Sequence, residues 1–206
     1  HPEIEVRLTT SFTQVDFRRE DVDMGIRLGE GVWDGLRADW LMGEEIFPVC
    51  APSLLAGAEP LRGPADLARH TLLHIAQWPR GWADWLAAAG APGLEAARNQ
   101  RFDLHLTAFQ MAMQGGGVAL GVSPLVDADM AAGRLVMPFG PRLPVNYAYY
   151  AVAPEENADQ PKIRAFRDWL LEEAAAGAAL ADPALADNGS AMRLKRPDGR
   201  GNMTGE

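Results

Sequence analysis

Leu106-Thr107-Ala108-Phe109-Gln110-Met111-Ala112-Met113-Gln114 leads into Gly115-Gly116-Gly117 and then Val118-Ala119-Leu120-Gly121-Val122-Ser123, and the order of these pieces decides the fold. The first piece is apolar at helical spacing, and the glycines stop it. The last piece is an unbroken apolar run of strand length, as in a strand buried on both faces. A helix then spans 126–132 and ends at Gly133. Helix, stop, buried strand and helix in succession are the signature of an α/β sheet. A phosphate-cradling glycine loop would lie between a strand and the start of a helix. Here the three glycines follow a helix and precede a strand, so they read as a stop and a tight turn.

The same alternation extends both ways. Upstream, residues 4–9 alternate apolar Ile4, Val6 and Leu8 with Glu5, Arg7 and Thr9, a half-buried strand pattern. Further strands are expected at 23–28, 36–41, 46–50, 71–75 and 101–103. Pro64 opens a short helix, and 82–89 forms another that ends at Gly90. Downstream, strands are expected at 135–139 and 147–152, and a helix at 161–176 with Ile163, Phe166, Trp169 and Leu170 as its apolar stripe. From Gly177 the composition turns to Ala, Asp, Gly, Asn and Arg without periodicity, so 177–206 reads as a disordered tail.

Composition excludes several function classes. The chain has 206 residues, a net charge of −9 and a pI near 4.9. A duplex-binding surface needs clustered Lys and Arg. The one dense basic run is Arg193-Leu194-Lys195-Arg196, in the polar tail, so this chain by itself is not expected to grip nucleic acid. No apolar run approaches the ~20 residues of a membrane span, so no membrane partner is expected. The start, His1-Pro2-Glu3-Ile4-Glu5, carries no basic region followed by an apolar stretch, so no export signal is read and a cytoplasmic location is expected. The single cysteine, Cys50, reads as a small buried residue.

No catalytic constellation stands out, and the chain is not expected to be an enzyme or to carry a cofactor. There is no Gly-x-Ser-x-Gly elbow and no His-Glu-x-x-His pair. His70 and His74 have the spacing of metal ligands on a helix, but the segment between them reads as a strand and no third ligand is near in sequence, so no metal is expected. The polar groups that stand out lie at strand ends: Thr9, Thr10 and Ser11 after the first strand, Asp103 and His105 between a strand and a helix, and Ser123 before a helix. Ligands of α/β sheets bind beyond the carboxyl ends of strands, where helix N-termini present free N–H groups. Each residue alone also fits a cap or turn. Three such places in one short chain point to a cleft for a small polar ligand.

One family pattern covers residues 1–175 in order. Val22-Asp23-Met24-Gly25-Ile26-Arg27-Leu28-Gly29, Trp33-Asp34-Gly35-Leu36 and Glu45-Ile46-Phe47-Pro48-Val49-Cys50-Ala51-Pro52 resemble the effector-binding domain of LysR-type transcriptional regulators. The resemblance is to the branch of the glycine-cleavage activator and the β-lactamase regulators. Thr9-Thr10-Ser11-Phe12, Pro64-Ala65-Asp66-Leu67, Trp82-Ala83-Asp84-Trp85-Leu86, Gly117-Val118-Ala119-Leu120-Gly121, Tyr149-Tyr150-Ala151-Val152 and Phe166-Arg167-Asp168-Trp169-Leu170 support it.

The resemblance implies an α/β fold of two Rossmann-like lobes joined by two crossover strands, like type II periplasmic binding proteins. Lobe one would comprise 1–51 plus 146–176, and lobe two 52–145. The family's winged helix-turn-helix, and the first strand and helix of lobe one, have no counterpart in the sequence given, so a C-terminal fragment is expected. The implied function is sensing a small-molecule co-inducer between the lobes. Thr10 and Ser11 would line the cleft from lobe one, Asp103, Val122 and Ser123 from lobe two, with Tyr149 at the hinge. The implied partners are a second copy in the full-length parent, paired through the 106–114 helix, and DNA only through the absent head. After Phe102-Asp103 this branch carries a short polar turn with a hydroxyl, where this chain has Leu104-His105. A stand-alone solute-binding receptor, which shares the two-lobed fold, is the alternative.

Overall fold

The computed structural model describes residues 1–11 and 13–181. Its centre is one mixed sheet of six strands: β1 (Gly25–Gly29), β2 (Leu36–Val49), β3 (Thr71–Ile75), β4 (Arg98–Phe102), β5 (Val118–Ser123) and β6 (Leu143–Pro154). They lie in the order β1-β6-β2-β5-β3-β4. The helices are α1 (Ser53–Ala56), a 3-10 turn (Pro64–Arg69), α2 (Gly81–Ala88), α3 (His105–Met113), α4 (Asp127–Ala131) and α5 (Pro161–Ala181).

The β5-β3-β4 end is parallel, with α2 and α3 as its crossovers. β5 is the unbroken apolar run of the sequence, and Val118 and Ala119 are sealed from solvent. Gly115 leaves α3 with φ +79, and Gly117 enters β5 with φ +157. A Cβ on Gly117 would stand 2.5 Å from the Thr71 carbonyl oxygen, so only glycine lets the turn close on β3. Trp82 and Trp85 fill this core, their rings meeting edge to face at 5.9 Å. Each indole N–H donates to a carbonyl at 3.0 Å, of Leu73 and Pro141 respectively. Cys50 is a buried packing residue in the same cluster, and burial pushes its thiol up to about 11.

The β1-β6-β2 end is antiparallel and backed on one face by α5. Its buried clusters are much smaller, built on Leu41, Ala151 and Ala174 and on Ala153, Ala158 and Ile163. The stripe expected on α5 is rotated. Ile163, Arg167 and Ala174 face inward, while Trp169 remains 49% exposed and stacks on Phe166. Arg167 turns inward because polar partners meet it there: Asp168 at 3.0 Å, the Ala158 carbonyl at 3.2 Å and Asp39 of β2 at 3.8 Å.

Several expectations need correction. Residues 4–9 form no strand, and Leu8 is 85% exposed. Alternation places apolar groups but supplies no backbone partners; among the described residues β1 pairs only with β6, and its other edge is open. The segments 36–41 and 46–50 are one strand, β2, because the bulges near Met42 and Glu45 bend it without ending it. Of 135–139, only Val136 pairs as a strand would, in a single bridge to Cys50. Helix α1 is too short to show a period. Helix α5 continues to Ala181, five residues past 176, and the remainder of the expected tail, 182–206, lies outside the described residues.

Two outcomes are expected. Trp85 has no exposed surface, so Trp85→Ala should cost about 3–5 kcal/mol, whereas Trp169→Ala should cost under about 1 kcal/mol in chemical denaturation. In hydrogen exchange, amides of residues 4–9 should exchange freely while those of β5 stay protected; equal protection would mean that the segment has found a strand partner.

Candidate functional site

The two ends of the sheet meet on β2. Its first part pairs with β6 and its last part with β5. At the changeover, Glu45 is opposite Ser123 of β5 and Pro144 of β6, while Ile46 is opposite Val122 and Leu143. Just before it, Met42 is opposite Tyr149. The register breaks between Gly43 and Glu45, so Glu44 has no partner across the ladder. The extra residues at this break lie on β6, and Glu44, two residues from Met42, stands on the face of β2 that Tyr149 shares. The Glu44 carboxyl and the Tyr149 phenol act on each other's ionisation there.

Both groups are half-buried, and the surroundings act on them in a consistent way. Burial holds the Glu44 carboxyl above its usual range, against the smaller opposing effect of the Tyr149 hydrogen bond. Burial, and then the neighbouring carboxylate, push the Tyr149 phenol well above the usual tyrosine range. Tyr149 is therefore a permanent donor. Glu45 is matched by Arg142 at 3.3 Å, and that guanidinium lies 4.1 Å from the centre of the Phe47 ring. Ser123 ends β5, and its Oγ donates to Asp127 Oδ2 at 3.0 Å in the first turn of α4.

A second group of polar atoms lies where β4 passes into α3. No side chain caps α3, so its leading N–H groups are open. Asp103 precedes it and is exposed, as are Leu104 and Leu106. His105 is half-buried with its ring 5.9 Å from that of Phe109, and burial lowers its pKa.

Of the residues expected to form the site, Val122, Ser123 and Tyr149 lie on strands that pair with β2, opposite Ile46, Glu45 and Met42 respectively. The Val122 side chain is in the core, so only its backbone faces the junction. Asp103 stands on the far side of β3 from them, at the carboxyl end of β4. Thr10 and Ser11 are exposed on the segment before β1, and the Ser11 hydroxyl pairs locally with Thr13 at 2.8 Å. Glu44, Arg142 and Asp127 were not anticipated. A signal existed for Glu44: two adjacent acids interrupt the apolar run Trp40-Leu41-Met42-Gly43-Glu44-Glu45-Ile46-Phe47. His70 and His74 do not converge, since His74 Nε2 is bonded to Asn99 Oδ1 at 2.7 Å.

Comparison with known proteins matches residues 1–175 to the LysR substrate binding domain. The chain is 40% identical over 176 residues to the glycine cleavage system transcriptional activator of Escherichia coli (strain K12), covering 85% of this chain and 57% of the relative. It is 35% identical over 178 residues to the HTH-type transcriptional activator AmpR of Rhodobacter capsulatus, covering 85% of this chain and 58% of that one. The chain thus spans somewhat over half the length of these curated relatives. Among solved structures, the effector domain of the transcriptional regulator AmpR of Pseudomonas aeruginosa superposes with a TM-score of 0.72 at 34% identity, over 90% of this chain and 86% of that one.

The state of Glu44 can be tested by stability. A carboxyl whose folded pKa is raised favours its neutral form, so the penalty is absent below the unfolded value near 4.5 and grows as pH climbs past it. Glu44→Gln keeps the shape and an acceptor for Tyr149. It should raise the melting temperature at neutral pH, and the gain should vanish at about pH 4, below the ordinary glutamate value. A loss of stability at neutral pH would show that the charge is compensated.

Proposed function

This chain belongs to the LysR substrate-binding-domain family, and from that premise we propose that it is the co-inducer-sensing domain of a DNA-binding transcriptional regulator. The family is one of transcriptional regulators, not of enzymes, and its effector domains have the type II periplasmic-binding-protein-like fold. The observation that carries the proposal is the match to that family over residues 1–175, and the pairing of the strands that bear Ser123 and Tyr149 with the one strand that serves both ends of the sheet supports it. In this reading, lobe one is 1–51 plus 146–176 and lobe two is 52–145, and a small polar molecule binds between them. Ser123, the Val122 backbone and Tyr149 contact it, Asp103 lies at the rim of lobe two, and Thr10 and Ser11 close over it from lobe one only when their segment is drawn in.

The parent protein works in the cytoplasm, pairs with a second copy, and touches DNA through a segment other than this one. Two features support that division. The relatives that carry the name of HTH-type activators are longer than this chain. The net charge of −9 opposes contact with phosphates. The exposed Leu104 and Leu106 at the start of α3 supply an apolar surface for pairing. No described helix is long and apolar enough to cross a membrane.

Ligand binding should be seen by differential scanning of the chain against a panel of small polar metabolites. At least one should raise the melting temperature, because a ligand that binds only the folded state stabilises it by mass action. Ser123→Ala should blunt that shift while changing stability by no more than about 1 kcal/mol, as expected for a partly exposed hydroxyl. In a gel-shift assay the chain alone should give no sequence-selective complex with a promoter duplex. Saturable, competitor-resistant binding would remove the division of labour proposed here.

A further inference from the structure

A cavity of about 380 Å³ lies away from the junction, bordered by α2, the 93–96 loop and the face of β3 and β4 that carries His74 and Asn99. None of the junction's residues lines it, and β5 and β3 stand between β4 and β2. The volume falls within the roughly 300–1,000 Å³ of small-molecule sites. Its floor is apolar: Leu72, Trp82 and Leu86 are buried in the core and border the cavity, with Leu94 beside them on the loop. The Trp82 indole N–H donates to the Leu73 carbonyl at 3.0 Å, so the ring has no hydrogen-bond donor left to offer. Polar groups are few. His74 Nε2 donates to Asn99 Oδ1 at 2.7 Å across the two strands. Glu95 is exposed at the rim, and among the described residues it has no cationic partner. No Lys or Arg lines the cavity. Arg101 stands opposite His74 in the ladder but outside the lining, and Arg80, just before α2, is paired with Asp84 at 3.1 Å.

We propose that this cavity is a second ligand site, distinct from the junction, and that its ligand is a small aromatic amine. The rings lie on Leu72, Trp82 and Leu86, and the protonated nitrogen meets Glu95. Size sets the body of the ligand. An apolar cavity of about 150 Å³ holds one benzene ring, so this one accepts two fused rings and a short arm. The floor sets its polarity, because apolar side chains and an indole with its N–H committed favour flat hydrocarbon rings. The rim sets its charge. An ammonium gains a charge-assisted hydrogen bond to Glu95, whereas a carboxylate of the same size would meet that charge with no Lys or Arg in the lining to offset it. Asn99 Oδ1, with one lone pair taken by His74, keeps the other as an acceptor for a further N–H. The site rests on the cavity and its lining alone, and stands or falls separately from the reading of the junction.

The probes are tryptamine and phenethylamine, set beside N-acetyltryptamine and indole-3-propionate, which keep the rings and lose or reverse the charge. Binding to the 206-residue chain is read by titration calorimetry. Tryptamine should bind saturably, and the N-acetyl form and the acid should bind at least about tenfold more weakly, as expected when a charge-assisted hydrogen bond is lost. Glu95→Gln should weaken tryptamine by a similar factor without moving the melting temperature, since Glu95 is exposed. Ala83 is an exposed residue of α2 that lines the cavity, so Ala83→Phe should fill the space and abolish binding. Amide chemical shifts of the unsubstituted chain locate the ligand without any substitution: tryptamine should move His74, Glu95 and Asn99. Shifts centred on Ser123 and Tyr149 would place the amine at the junction and overturn the second site. Failure of both amines to bind would overturn it as well, as would equal binding of the acid or the N-acetyl form, or undiminished tryptamine affinity in Glu95→Gln or in a folded Ala83→Phe chain.

Discussion

The structure depends on the continuity of β2. Leu36–Val49 is long enough to pair with β6 over its first part and with β5 over its last, so one backbone belongs to two cores. The ladder bonds on either side cannot be made independently, because each fixes the pleat of the same strand. The last part of β2, from Ile46 to Val49, is buried on both faces, so it is held as firmly by packing as by its ladder. Two register breaks absorb the mismatch between the two ends, one adding a residue on β2 at Leu41 and the other adding residues on β6 opposite Glu44.

The two ends differ in how much they bury. The β5-β3-β4 end encloses Trp82, Trp85, Phe109 and the apolar residues of β3 and β5, with Phe102 from β4. The β1-β6-β2 end relies on alanines, one leucine and the polar anchor at Arg167. Large aromatic side chains contribute far more burial energy than alanines do, so the first end forms the rigid platform and the second the more easily deformed partner. In the proposed reading, a ligand at the junction touches both and biases their relation through the strand they share.

The polar groups of the junction also show how the family's scaffold is adapted. Where the family's branch carries a hydroxyl-bearing turn after Phe102-Asp103, this chain has Leu104 and His105, and the rim of that end becomes apolar. In the proposed reading, polar recognition then falls more heavily on the residues around β2, Ser123 and Tyr149 among them.

Much of the parallel end was legible in the sequence, because its elements carry local signals. The 71–75 strand, the α2 and α3 helices and the glycines that stop them, and the buried β5 run all declare themselves within a few residues. Family resemblance added the two-lobed fold, and it implies a cleft near Ser123 and Tyr149. What the sequence could not decide depends on partners distant along the chain. Residues 4–9 have a strand's alternation but no ladder to join, and 135–139 keeps only one bridge, because hydrogen bonding to a neighbour makes a strand and alternation only permits it. On α5, spacing identifies an apolar stripe, yet the carboxylate of Asp39, far away in sequence, turns Arg167 inward and leaves Trp169 at the surface. Glu44 is the clearest case. The sequence shows two adjacent acids in an apolar run, but only the pairing of β2 with its neighbours decides that Glu45 meets Arg142 while Glu44 lies on the face of Tyr149, because register is a property of the paired strands and not of either strand alone.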